Sequence, residues 1–109
     1  DEALTKKLKA AAAAVGARAV GGVVATGDRF VADGAEKRRI ADTFGAVACE
    51  MEGGAVAQAC FVNGVPFALL RAISDDASGK AQTDYPAFAD RAARKSAALL
   101  LTALEGEAC

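Results

Sequence analysis

Three stretches of the chain are apolar on consecutive residues rather than on alternate ones: 17–26 (ARAVGGVVAT), 46–49 (AVAC) and 67–73 (FALLRAI). A strand apolar toward both faces is covered on both, the mark of a largely parallel sheet layered against helices. Around these runs the spacing changes to that of a helix. Leu4, Leu8, Ala11, Ala12 and Val15 share one face, with Asp1 and Glu2 at the positive end of the helix dipole and Gly16 as a stop. Asp33 followed by Glu36 predicts a capping box opening a helix through Phe44, ended by Gly45. Residues 51–62 have helical length but are apolar on nearly every side, which predicts an interior helix. Asn63-Gly64 ends it and Pro66 bars its continuation. Residues 74–83 read as a polar loop. A long last helix follows from Asp84, with Pro86 in its first turn and Phe88, Ala92, Ser96, Leu99 and Ala103 on its inner face. Gly21-Gly22 inside the first apolar run predicts a bulge or a close backbone approach.

This order describes an α/β domain with about three strands and four helices. Three strands make a small sheet with exposed edges, whereas parallel sheets normally carry more strands and helices on both faces. The expectation is therefore that residues 1–109 are part of a larger single domain. The start on Asp1 rather than methionine agrees with it.

Composition narrows the chemistry. Thirteen basic and fourteen acidic residues leave a net charge of -1, which argues against a nucleic-acid partner. The apolar runs are too short to span a bilayer and no leader pattern opens the chain, so no membrane association and a cytoplasmic location are expected. The chain has no histidine, which excludes Ser-His-Asp and Cys-His catalysis within it. Cys49, Cys60 and Cys109 lack metal-ligand spacing, so no metal is expected, and Cys49 and Cys60 read as small buried hydrophobes. Acid–base work falls to carboxylates, Lys or Tyr.

Two acidic pairs interrupt apolar surroundings. Glu50 and Glu52 stand where a strand hands over to a helix, and Asp75 and Asp76 follow the run FALLRAI. Ligands of parallel α/β sheets bind at the carboxyl ends of the strands. Half-buried carboxylates there have raised pKa values, as a general acid near neutral pH requires. The plainer alternative is that Glu50 and Glu52 cap the following helix and the aspartates are solvated strand ends.

Specific motifs occur in order along the chain. Glu50-Met51-Glu52, a small-residue helix ending Val65-Pro66-Phe67, and Arg71-Ala72-Ile73-Ser74-Asp75 resemble the nucleoside phosphorylase/nucleosidase superfamily. "EME" with "RAISD" most resembles the 5'-methylthioadenosine/S-adenosylhomocysteine nucleosidases, and Thr26-Gly27-Asp28-Arg29-Phe30-Val31 is similar to their "SGDxF" segment. The likeness runs from about Val20 to Leu104.

The resemblance implies a three-layer α/β/α sandwich of the phosphorylase/hydrolase-like type, incomplete here and represented by its C-terminal portion. It implies hydrolysis of the N-glycosidic bond of 5'-modified adenosines, a small-molecule nucleoside substrate, no cofactor, and a homodimer or association with a missing N-terminal half. Asp75 would bind the purine and donate a proton at N7, with Ser74 placing it. Phe30 would stack on adenine and the Val31 backbone would read the base edge. Glu52 would hold the ribose hydroxyls beside Met51, while Glu50 and Tyr85 would line the pocket. Tyr85 stands where a Phe is common. Gly53-Gly54 departs from a commoner pair containing Ala, Ser or Thr, and is expected to loosen the helix start. The family's water-activating glutamate lies near the N-terminus of the full protein, before anything present here, so the chain alone is expected to be inactive. The alternatives are a nucleoside phosphorylase of the same superfamily, using phosphate as nucleophile, and a non-catalytic binding or assembly module.

Overall fold

A carboxylate at the first residue starts the first helix. Asp1 accepts a hydrogen bond from the Leu4 N–H at 2.9 Å, satisfying one donor that a helix start leaves unpaired. Helix α1, Glu2–Ala14, runs to a C-cap at Val15, and Gly16 follows at φ 65°. The computed structural model describes residues 1–73 and 85–105, and within them it forms two compact units.

The first unit holds residues 1–20, 68–73 and 85–105. Its second helix spans Tyr85–Glu105, with Pro86 in the first turn, where its missing N–H is no loss. The two helices pack through Ala11 and Ala12 on one side and Leu99 and Ala103 on the other. Leu8, Val15, Ala17 and Leu70 are partly buried against this core. Both faces agree with the spacing: Phe88, Ala92 and Ser96 are half-buried on the same stripe as Leu99 and Ala103. The Lys95 ammonium donates to the Gly16 carbonyl at 3.3 Å, a cation just past the C-terminus of α1 where the dipole favours it.

The second unit is Gly21–Phe67. It runs β1 (Val23–Thr26), α2 (Gly34–Phe44), β2 (Ala46–Glu50) and α3 (Gly53–Val62), so the Tyr85–Glu105 helix is α4. The two strands are parallel, paired from Val23 opposite Ala46 to Thr26 opposite Glu50. Asp33 caps α2 by accepting from the Glu36 N–H at 2.8 Å, and Gly45 ends it in the left-handed conformation at φ 61°.

Four expectations are corrected. The first strand begins at Val23, not at residue 17, because its partner begins at Ala46 immediately after the left-handed turn at Gly45 and offers no ladder further upstream. A register irregularity between Val23 and Val24 marks that beginning. Gly22 just before it is a close approach, since a Cβ there would lie 2.6 Å from a Val47 methyl. Residues 67–73 carry no strand. Apolar character predicts burial rather than pairing, and Leu70 meets it by packing on the α1–α4 core. The expected interior helix α3 turns Gly53, Ala57 and Cys60 inward and leaves Phe61 86%, Val62 74% and Val56 51% exposed. A helix apolar all round needs cover on every side, and the described residues cover one stripe. Cys49 and Cys60 are free thiols and half-buried rather than buried.

Among the described residues no helix is long and apolar enough to cross a membrane.

Candidate functional site

β1 ends at Thr26 and β2 ends at Glu50, directly opposite each other. The loop carrying Phe30 and Val31 and the bend carrying Met51 and Glu52 therefore leave the same carboxyl edge of the parallel pair, where ligands of such sheets bind. Phe30 is 71% exposed and Val31 half-buried. Met51 is 43% exposed and Glu52 is exposed. Ser74 and the Asp75-Asp76 pair lie outside the described residues, as does the Tyr85 side chain, although Tyr85 itself opens α4.

Glu50 is unlike its neighbours. It is the buried charged residue of the described chain, and burying a carboxylate is costly unless donors surround it. They do. The Glu52 N–H donates to Oε2 at 2.8 Å, and the Gly53 N–H donates to both oxygens at 2.7 and 2.9 Å. The Thr26 hydroxyl donates to Oε1 as well. Glu50 is thus the anion at the N-terminus of α3, and the plainer reading of this residue, as a helix cap, describes these contacts. Glu52 makes no side-chain cap bond although it occupies the N-cap position.

The Phe30 loop is fastened at its start. Arg29 donates to Glu36 at 3.0 Å, and Arg39 donates to the same carboxylate at 2.7 and 3.1 Å. The hydrogen bond from Arg39 leads in holding the Glu36 carboxyl below its ordinary pKa; the charges of Arg39 and Arg29 add to it, and desolvation opposes it. A carboxyl whose pKa is lowered on folding contributes stability above its unfolded pKa and loses it as pH falls through the lowered value. These groups are at the surface, so the contribution is small. The Glu36 side-chain carbon is expected to titrate below a normal glutamate by NMR, and Arg39→Ala to return it most of the way; an unshifted midpoint in the parent chain would contradict the pairing.

Two residues of this edge were not expected from spacing alone. Thr26 belongs to the "SGDxF"-like segment, yet its link to Glu50 appears once the register is known. Gly54 was expected to loosen the helix start. Instead its N–H donates to Thr26 Oγ1 at 2.9 Å, and a Cβ there would stand 2.9 Å from Thr26 Cβ. Among the described residues no group of three or more Cys, Asp or Glu is arranged to hold a metal ion.

The family model described as the phosphorylase superfamily matches residues 1–105. The chain is 49% identical over 90 residues to a 5'-methylthioadenosine/S-adenosylhomocysteine nucleosidase of Treponema pallidum, covering 81% of this chain and 34% of that protein. It is 45% identical over 84 residues to an aminodeoxyfutalosine nucleosidase of Campylobacter jejuni, covering 77% and 37%. A crystal structure of the C. jejuni 5'-methylthioadenosine/S-adenosylhomocysteine nucleosidase matches with a TM-score of 0.89 at 40% identity, covering 97% of this chain and 46% of that one. The chain thus spans less than half the length of these relatives.

Proposed function

The chain belongs to the phosphorylase superfamily, and from that premise we propose that it supplies the purine- and ribose-binding half of a nucleosidase acting on 5'-modified adenosines. The observation that carries this is the shared carboxyl edge, with the Phe30 loop and the Met51-Glu52 bend leaving adjacent strand ends in a fold like that of the C. jejuni nucleosidase. On this reading residues 1–109 are the C-terminal part of one nucleosidase domain.

Cleaving an N-glycosidic bond turns the sugar toward an oxocarbenium ion while negative charge gathers on the leaving purine. In the proposed roles Asp75 protonates the purine at N7 and so removes that charge, with Ser74 placing it. Glu52 binds the ribose hydroxyls beside Met51, and its carboxylate favours the neighbouring cation electrostatically. Phe30 stacks on the base, the Val31 backbone reads its edge, and Tyr85 borders the pocket. Glu50, expected among the pocket residues, accepts from the Glu52 and Gly53 N–H groups and on this reading acts from behind the bend. The same reading includes a homodimer, or pairing with an N-terminal half, and a cytoplasmic site of action; sedimentation of the purified protein checks the assembly.

The relatives named here are nucleosidases, which favours water over phosphate as the nucleophile. The test is adenine release from 5'-methylthioadenosine, S-adenosylhomocysteine and aminodeoxyfutalosine, with and without phosphate, by the protein that joins this chain to the remainder of the site. Release independent of phosphate is expected. A strict requirement for phosphate would make it a phosphorylase instead.

A further inference from the structure

A helix N-terminus is ordinarily capped by the residue immediately before it. Here that residue, Glu52, makes no side-chain cap bond, and the donors of α3 are met from elsewhere. Glu50 takes the N–H groups of Glu52 and Gly53, and Thr26 takes that of Gly54. The two glutamates are thereby divided in task. One is buried and turned to the helix end; the other is exposed on the outside of the bend.

Thr26 joins the parts. Its hydroxyl has one proton, given to Glu50, and its oxygen accepts from Gly54. The adjoining Gly27 N–H donates to the Glu50 carbonyl at 3.1 Å. The bend at Met51 and Glu52 is therefore pinned on one side by the strand ladder and on the other by the cap. Gly54 makes this possible. The helix backbone comes within hydrogen-bonding reach of Thr26 only because no Cβ intervenes, since one would lie 2.9 Å from Thr26 Cβ and 3.1 Å from Cγ2. Thr26 is β-branched and in a strand, so it has little freedom to turn away.

We propose that Thr26, Glu50 and Gly54 form one clasp that positions the Met51-Glu52 bend for the sugar, with none of the three touching the substrate. The proposal rests on the assignment of Met51 and Glu52 to the ribose, and it makes the three residues positioning residues rather than catalytic ones. Thr26→Val keeps the shape and deletes the hydroxyl. Glu50→Gln keeps the shape and turns an amide donor toward donors. Gly54→Ala opens the clasp sterically from the helix side.

The measurement compares the dissociation constants of 5'-methylthioadenosine and adenine in the protein carrying the whole site. For each of the three variants, nucleoside binding is expected to weaken about tenfold or more while adenine binding changes less than about twofold, the loss of well-placed sugar hydrogen bonds alone. Thr26→Ser, which restores the hydroxyl, should recover most of the Thr26→Val loss. Equal weakening of both ligands, or no weakening of the nucleoside, overturns the proposal. Hydrogen exchange in the 109-residue chain reads the clasp without any ligand. The Gly53 and Gly54 amides should exchange about tenfold faster or more in Thr26→Val and Glu50→Gln; unchanged exchange overturns the clasp. A parent protein that binds neither ligand but shows this exchange pattern would refute the nucleosidase reading and the sugar-positioning role, leaving the clasp as a structural element.

Discussion

Replacing Asp75 by asparagine in the protein that carries the whole site is expected to lower kcat for adenine release by about 10²–10⁴-fold, the usual worth of a positioned general acid. The two side chains are nearly the same size, and an asparagine amide can still donate a hydrogen bond to a purine nitrogen. It cannot hand over a proton. KM should therefore change far less than kcat, which distinguishes loss of proton transfer from loss of binding. Single-turnover adenine release followed by chromatography checks it. A fall in kcat of less than about tenfold, or about 1.4 kcal/mol of barrier, would remove Asp75 from the acid's role.

The second large effect concerns stability. Leu99 is 4% exposed and is the large side chain in a core otherwise made of Ala11, Ala12 and Ala103. Leu99→Ala removes the largest buried side chain between α1 and α4, and buried Leu→Ala changes cost about 2–5 kcal/mol. The alanines opposite cannot grow to fill the space, so a value toward the upper end is expected. Leu101 and Leu104, on the same helix, are 58% and 63% exposed. Their alanine variants should cost less than about 1 kcal/mol. Urea unfolding of the three variants decides it: a lower midpoint for Leu99→Ala with unchanged slope is expected, and three equal midpoints would mean that this helix pair is not the core of its unit.

The contrast between those leucines also shows what the sequence could and could not reveal. The faces of α1 and α4 were legible because helical spacing is local and each stripe has one partner. The helix stops at Gly16, Gly45 and Asn63-Gly64 were legible for the same reason. The strand expected at 67–73 was not, because a strand exists through its neighbour and composition carries no record of the neighbour. Residues 17–22 fail for a related reason, since β2 is too short to pair with them. At the candidate site, the Glu50–Glu52 pair stood out as charge in apolar surroundings. Which of the two turns inward could not be read from spacing, as residues i and i+2 at a strand-to-helix bend follow neither period. Thr26 and Gly54 are 28 residues apart, and their contact depends on the parallel register. Glu50, opposite Thr26, depends on it equally.

The exposed apolar side chains of α3 have a colloidal consequence. Phe61, Val62 and Val56 face water on one short helix, and a net charge of -1 provides almost no long-range repulsion between molecules. Two such surfaces that meet in solution have an apolar reason to adhere and little electrostatic reason to part. The exposed side chains of α3 then add to the apolar surface, with Phe30, Phe44, Leu101 and Leu104 elsewhere on the chain, that limits the concentration at which it can be handled by itself.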